Sequence, residues 1–306
     1  MAPTSKRNPK SVADPKRIAE GLTFWSEPVT AEPLGGGLTN ANFLVRHRGE
    51  RFVVRVGNDI PRHHVMRFNE RAAAFAAHAA GVSPRVLHHE PGALVVAFVE
   101  GQVLSPETVR EEKRLERIIE LIRLCHTRMI EHLRGPVLMF WPFHILRDYA
   151  ASLHEGGSRF VPELPRLAAA AAKLERRIGA IDVVFCHNDL LAGNLIDDGE
   201  RLWLIDWDYA GFNSPLFDLA NLASNNGFTP AIEERLLSLY FGGKVDADLL
   251  ARFAAMRATS LLREAMWGMV SELHSTLPID YVAYAKEHLA KFDSAFVELD
   301  FRKGDE

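Results

Sequence analysis

Cysteine is scarce in this chain. Cys125 and Cys186 are its only two in 306 residues, too few for a disulfide framework and at no zinc-binding spacing. Both lie in apolar runs and read as reduced core thiols of a cytoplasmic protein. Long apolar stretches are missing too: no run approaches the ~20 residues that cross a bilayer, so no membrane partner is expected. Neither charge sign is in excess, with 36 Lys and Arg against 40 Asp and Glu, a net of −4. That balance gives no support to nucleic-acid binding. The opening MAPTSKRNPKSVADPKR is basic without an apolar core and does not read as a secretory signal. The 13 histidines form no HExxH or mixed Cys/His set, so zinc is not expected. What remains is an ordinary globular composition, 47% hydrophobic and 25% charged, long enough for two lobes with their own cores.

The most informative stretch is 183–221, VVFCHNDLLAGNLIDDGERLWLIDWDYAGFNSPLFDLAN. An apolar run, Val183 to Cys186, precedes His187-Asn188-Asp189, and Asn194 follows the Asp by five residues. A second run, Arg201 to Ile205, ends on Asp206. Two carboxylates and an amide are thus offered at strand ends, in an expected strand–turn–strand hairpin. Asp and Asn are also ordinary turn residues. Chemistry is favoured because HxDxxxxN and the later IDWD agree in order and offset with a phosphoryl-transfer site. In such a site one Asp, here Asp189, accepts a hydroxyl proton. A hard divalent cation takes oxygen ligands from Asn194 and Asp206. His187 is expected to brace the loop.

Upstream, residues 1–13 are polar and Lys/Pro-rich and read as a disordered tail. Asp14-Pro15 is a helix start for about 14–22. Gly35-Gly36-Gly37-Leu38-Thr39-Asn40 precedes two strand-like runs, Asn42–His47 and Arg51–Val56, with the turn expected at Gly49-Glu50. Glycines there let backbone N–H groups approach a phosphate, although a flexible turn explains them as well. Arg55 alternates with Val54 and Val56, where protein kinases carry a phosphate-pairing strand lysine. Glu70, in a helix-like run over Val65–Ala80, is placed to ion-pair with Arg55. Strands at Arg85–His88 and Ala93–Val99 complete a small lobe. Phe98 and Val99 lie in a hinge whose backbone suits an adenine edge. From Ser105, taken as the cap of one long amphipathic helix, helical spacing dominates: 144–154, 163–178, 215–225, 230–241, 246–275 and 279–298.

These motifs resemble the choline/ethanolamine kinase family, within the aminoglycoside phosphotransferase superfamily. The matching residues are Gly36 to Asn40, Val54-Arg55-Val56, His187 to Asn194, Ile205 to Tyr209, Phe217 to Asn221 and Met266 to Val270. The resemblance implies an α+β, protein-kinase-like two-lobe fold. A small antiparallel-sheet N-lobe with one helix would span 14–99, and a larger, mainly helical C-lobe 100–306. It implies ATP- and Mg2+-dependent phosphoryl transfer to a small amino alcohol, choline or ethanolamine, by a cytoplasmic enzyme, with a homodimer as the assembly considered. Asp189 would be the catalytic base, and Asn194 and Asp206 the metal ligands. Gly36, Gly37, Thr39, Asn40, Arg55, Glu70, Phe98 and Val99 would hold ATP, and Asp208, Phe212 and Trp267 the substrate. Two positions depart from the family. Val270 stands where a second tryptophan would wall in a quaternary ammonium, and Asn225 where a glutamate is usual. Kinases of other hydroxylated molecules (aminoglycoside, sugar, amino acid) and a nucleotide-binding pseudoenzyme are the alternatives.

Overall fold

The computed structural model describes residues 14–35 and 39–299. The N-terminal tail and Gly36, Gly37 and Leu38 lie outside the described residues. The chain divides into two compact units, one of residues 14–58 and 86–98, the other of 59–85 and 99 onward.

In the first unit, Asp14 caps α1 (Pro15–Glu20) by accepting the Lys16 N–H at 3.1 Å. Five antiparallel strands follow: β1 (Ala31–Leu34), β2 (Ala41–His47), β3 (Glu50–Val56), β4 (Val86–Glu90) and β5 (Ala93–Ala97), ordered β1-β2-β3-β5-β4. Period-two alternation decides which face is buried. Phe52, Val54 and Val56 turn inward with Phe43, Val45 and Val95, against Ala19 and Leu22. Arg55 therefore points to the other face. The β2–β3 turn falls on Arg48-Gly49 rather than Gly49-Glu50. Both have positive φ (49° and 81°), as a two-residue turn matching the sheet twist requires.

The second unit begins with α2 (Arg67–Ala79) and is otherwise built after Val99. β6 (Gln102–Val103) precedes a break in the long helix expected from Ser105. Ser105 and Thr108 form a capping box on a short α3 (Pro106–Val109), and α4 (Glu112–His132) starts afresh. Next come α5 (Pro142–Glu155) and α6 (Leu164–Ile178), and then the strands of the key stretch, β7 (Val184–Cys186), β8 (Leu195–Asp197), β9 (Leu202–Leu204) and β10 (Gly211–Asn213). The two apolar runs are not partners of one hairpin. β7 pairs with β10, while β9 pairs with β8, which also pairs with β6. Then come α7 (Pro215–Asn226), α8 (Pro230–Phe241), α9 (Ala247–His274) and α10 (Tyr281–Val297). The central helix α9 packs on α5, α6, α7 and α10 and is buried along most of its second half. The architecture is the α+β, small-sheet-plus-helical arrangement expected. No helix among the described residues is long and apolar enough to cross a membrane.

Candidate active site

The loop after β7 is held in place from beneath. Asp218, on the first turn of α7, accepts the backbone N–H of His187 at 2.9 Å and of Asn188 at 2.6 Å. It also accepts the His126 Nε2–H at 2.9 Å. A carboxylate only accepts, so His126 carries a proton on Nε2, and its Nδ1 accepts a hydrogen bond from the Tyr240 hydroxyl at 2.7 Å. Burial would raise Asp218, but the hydrogen bonds it accepts from His126 and from the His187 N–H hold its carboxyl below the usual range. Asn221, one turn on, accepts from Leu190 N at 2.6 Å, and Asn226 donates to the Leu190 carbonyl at 3.2 Å. Asn188 sits at φ 65°, a left-handed conformation that asparagine tolerates, and its side chain ties the loop to Tyr209, Gly211 and Asn213. The FDLAN segment and Asn188 therefore set the loop's shape.

Within that frame, Asn194 Nδ2 donates to the Asp189 carbonyl at 2.9 Å, so oxygen is the atom Asn194 can turn to a cation. Ile205 N donates to the Asn194 carbonyl at 3.0 Å, which ties the chain before Asp206 to the same loop. Asp206 itself has φ 70°. For a residue other than glycine this costs about 1 kcal/mol, a cost that clusters at functional sites. His187 braces the loop as expected. Its Nε2–H donates to the Ile205 carbonyl at 2.9 Å, its Nδ1 accepts from Asp189 N at 3.3 Å, and its ring packs edge-on to Trp207. Burial lowers its pKa and keeps it neutral. Burial is also the main reason that Asp189 is pushed up to about 8. Arg263 opposes the rise, and Glu264, Asp206 and Asp208 add to it. A cation bound nearby would return Asp189 to its charged form.

The other expected residues are placed as follows. Glu70 pairs with Arg67 at 2.6 Å, and Arg67 also reaches Asp208 at 2.9 Å, so Arg67 bridges two buried carboxylates. Arg55 lies opposite Leu94 on β5 and Asn42 on β2. Thr39 Oγ1 accepts from Asn40 at 3.4 Å. Phe98 donates its backbone N–H to Arg51 and stacks under that guanidinium, and the second unit resumes at Val99. Phe212, on β10, packs edge-on to Phe185. Trp267 is buried, with Tyr284, Tyr281 and His63 rings 5.7, 5.9 and 5.2 Å away, and its indole N–H donates to the Tyr209 hydroxyl at 2.9 Å. Val270 is fully buried in α9 and offers no wall to a ligand.

Sequence reasoning missed Arg263. It is buried, its guanidinium lies 4.4 Å over the Tyr209 ring, and it pairs with Glu264 at 2.8 Å. Burial would lower it, but Glu264, Tyr209, Tyr149 and Asp189 outweigh that and keep it charged. Glu264 in turn accepts the Tyr284 hydroxyl. An Arg-Glu pair inside a helix reads as surface, and only its place one turn before Trp267 hinted otherwise.

The model of the phosphotransferase enzyme family matches residues 30–259. The chain belongs to that family. Among curated relatives, Protein LicA of Haemophilus influenzae is 30% identical over 67% of this chain and 61% of its own length, so this chain spans about three fifths of it. Ethanolamine kinase 2 of Mus musculus is 27% identical over 88% of this chain and 77% of its own. A solved choline/ethanolamine kinase family protein from Mesorhizobium loti is 28% identical with a TM-score of 0.71, covering 91% of this chain and 92% of that one. The family assignment makes the chain a phosphotransferase, and its likeness runs to the choline and ethanolamine kinases.

Proposed function

We propose that the chain is a cytoplasmic enzyme that transfers the γ-phosphoryl group of ATP to the hydroxyl of a small amino alcohol, ethanolamine or choline. The observation that carries this reading is the loop itself. Asp189, Asn194 and Asp206 are held on one braced segment, with Asp189 bound to Asn194 through its own carbonyl. Hard oxygen donors of this kind suit Mg2+, which Asn194 and Asp206 would hold. When bound, the ion offsets charge on the transferring phosphoryl group. Gly36, Gly37, Thr39, Asn40 and Arg55 would hold the phosphates. Glu70 is assigned to support them, and the backbone of Phe98 and Val99 to the adenine.

Asp189 orients the acceptor hydroxyl and takes its proton as the hydroxyl oxygen bonds to the γ-phosphorus. The bond to the β-bridging oxygen breaks, and ADP leaves with that electron pair. Burial raises Asp189 to about 8, and a bound cation would return it to the carboxylate that can take a proton. Positioning and electrostatics supply the rest. The test is ADP release with ATP, Mg2+ and a panel of alcohols. Acceptor-dependent turnover with ethanolamine or choline is expected; turnover only with an aminoglycoside, sugar or hydroxy amino acid would move the assignment to those acceptors.

A further inference from the structure

The acceptor's nitrogen end needs a counter-charge or aromatic walls, and the two positions where the resemblance implies a tryptophan and a glutamate hold a buried Val270 and a neutral Asn225. Asn225 instead lines a cavity of about 490 Å³ together with Arg110, Arg257, Lys291 and Glu298, and Glu298 is paired with Arg257 at 3.7 Å. That cation-rich wall is a poor place for an ammonium group. Carboxylate and aromatic surface do meet elsewhere, on α9 and α10. Glu264 is one turn before Trp267 on α9, is partly exposed, and accepts from Tyr284 of α10, whose ring is 5.7 Å from the Trp267 ring. Arg263, paired with Glu264 at 2.8 Å, lies over the Tyr209 ring, and the Tyr209 carbonyl accepts from Asn188, next to Asp189. Glu264 is therefore linked to the catalytic loop and lies beside the one expected substrate aromatic on α9.

We propose that Glu264 is the specificity-determining residue of the acceptor site: its carboxylate receives a primary ammonium, so the chain selects ethanolamine over choline. This rests on the amino-alcohol reading given above. A primary ammonium brings three N–H donors to the carboxylate. A trimethylammonium brings none and asks instead for aromatic walls. The buried Arg263 guanidinium beside Glu264 adds a repulsion that only close, hydrogen-bonded approach to the carboxylate can offset.

The experiment separates binding from turnover. Ethanolamine and choline are titrated calorimetrically into the full chain with Mg2+ and a non-hydrolysable ATP analogue, for wild type, Glu264→Gln, Glu264→Asp and Tyr284→Phe. Wild type should bind ethanolamine at least about tenfold more tightly than choline, and Glu264→Gln should lose about 10- to 100-fold for ethanolamine, the worth of a charge-assisted hydrogen bond. Affinity for the ATP analogue should not move, and Glu264→Asp should recover part of the loss. Choline bound as tightly as ethanolamine, or Glu264→Gln leaving the ratio unchanged, overturns the proposal. So does Tyr284→Phe reproducing the Glu264→Gln loss, since Glu264 would then only anchor Tyr284. Glu264-dependent ethanolamine binding, with no ethanolamine-dependent ADP release when ATP replaces the analogue, would sink the kinase reading and leave the specificity assignment standing.

Discussion

Asp189 and Asp218 are carboxylates of opposite kind. Asp218 accepts from His126, His187 and Asn188, whereas Asp189 is raised by burial with Arg263 opposing the rise. Their removal should differ accordingly. Asp189→Ala is expected to lower kcat by about 10²–10⁴, the usual contribution of a general base, with the urea midpoint unchanged. Asp218→Ala strands three buried donors and should cost about 3 kcal/mol or more in urea unfolding. Equal stability losses in the two variants would contradict this division. At this scale the sequence spoke clearly where chemistry fixes spacing, as at Asp189, Asn194 and Asp206. It was silent on Arg67 and Arg263, because a charged residue at helical spacing carries no mark of burial until its partners, Asp208 and Tyr209, fold against it.

Helix starts were legible at Asp14 and Ser105, each of which accepts a backbone N–H as an N-cap ahead of a proline; Thr229, Asp246 and Asp280 cap α8, α9 and α10 in the same way. Strand pairing around the site was not legible. β7, β9 and β10 are three residues each, too short for alternation to fix a register, and Gly211–Asn213 carries no apolar run to mark it as the partner of β7. The close α9–α10 approach, invisible in either helix alone, depends on Gly268. Gly268→Ala would press a methyl on Tyr284 and on Ala285, 3.3 Å away. The expected result is a loss of about 1–3 kcal/mol, with KM for the acceptor raised more than KM for ATP, as Tyr284 is pushed off Trp267. Unchanged stability and kinetics would show that the helices yield without cost.

Across the whole molecule, burying neutral histidines ties stability to pH. His63 bonds Tyr149 at 3.2 Å and Ser271 at 3.1 Å, and burial, aided by Arg263, lowers its pKa to about 3. Below the unfolded value of 6.5 the unfolded chain binds a proton that the folded chain refuses. His63 therefore contributes stability that is intact above pH 6.5 and is lost as pH falls toward 3, at up to about 1.4 kcal/mol per pH unit. His63→Asn should flatten the stability profile between pH 6 and 4 by close to one proton, and an unaltered slope would contradict the assignment. The two-unit α+β plan was legible because sheet and helix periodicities occupy separate stretches. The grouping of residues 59–85 with the helical unit was not, since it follows from tertiary packing of α2 on α4. The most direct measurement of the central claim is 31P NMR of the full chain with ATP, Mg2+ and ethanolamine. A phosphomonoester resonance growing in step with ADP, and absent with Asp189→Ala, is the predicted result. ATP turned over only to inorganic phosphate, or a phosphomonoester formed equally well by Asp189→Ala, would contradict it.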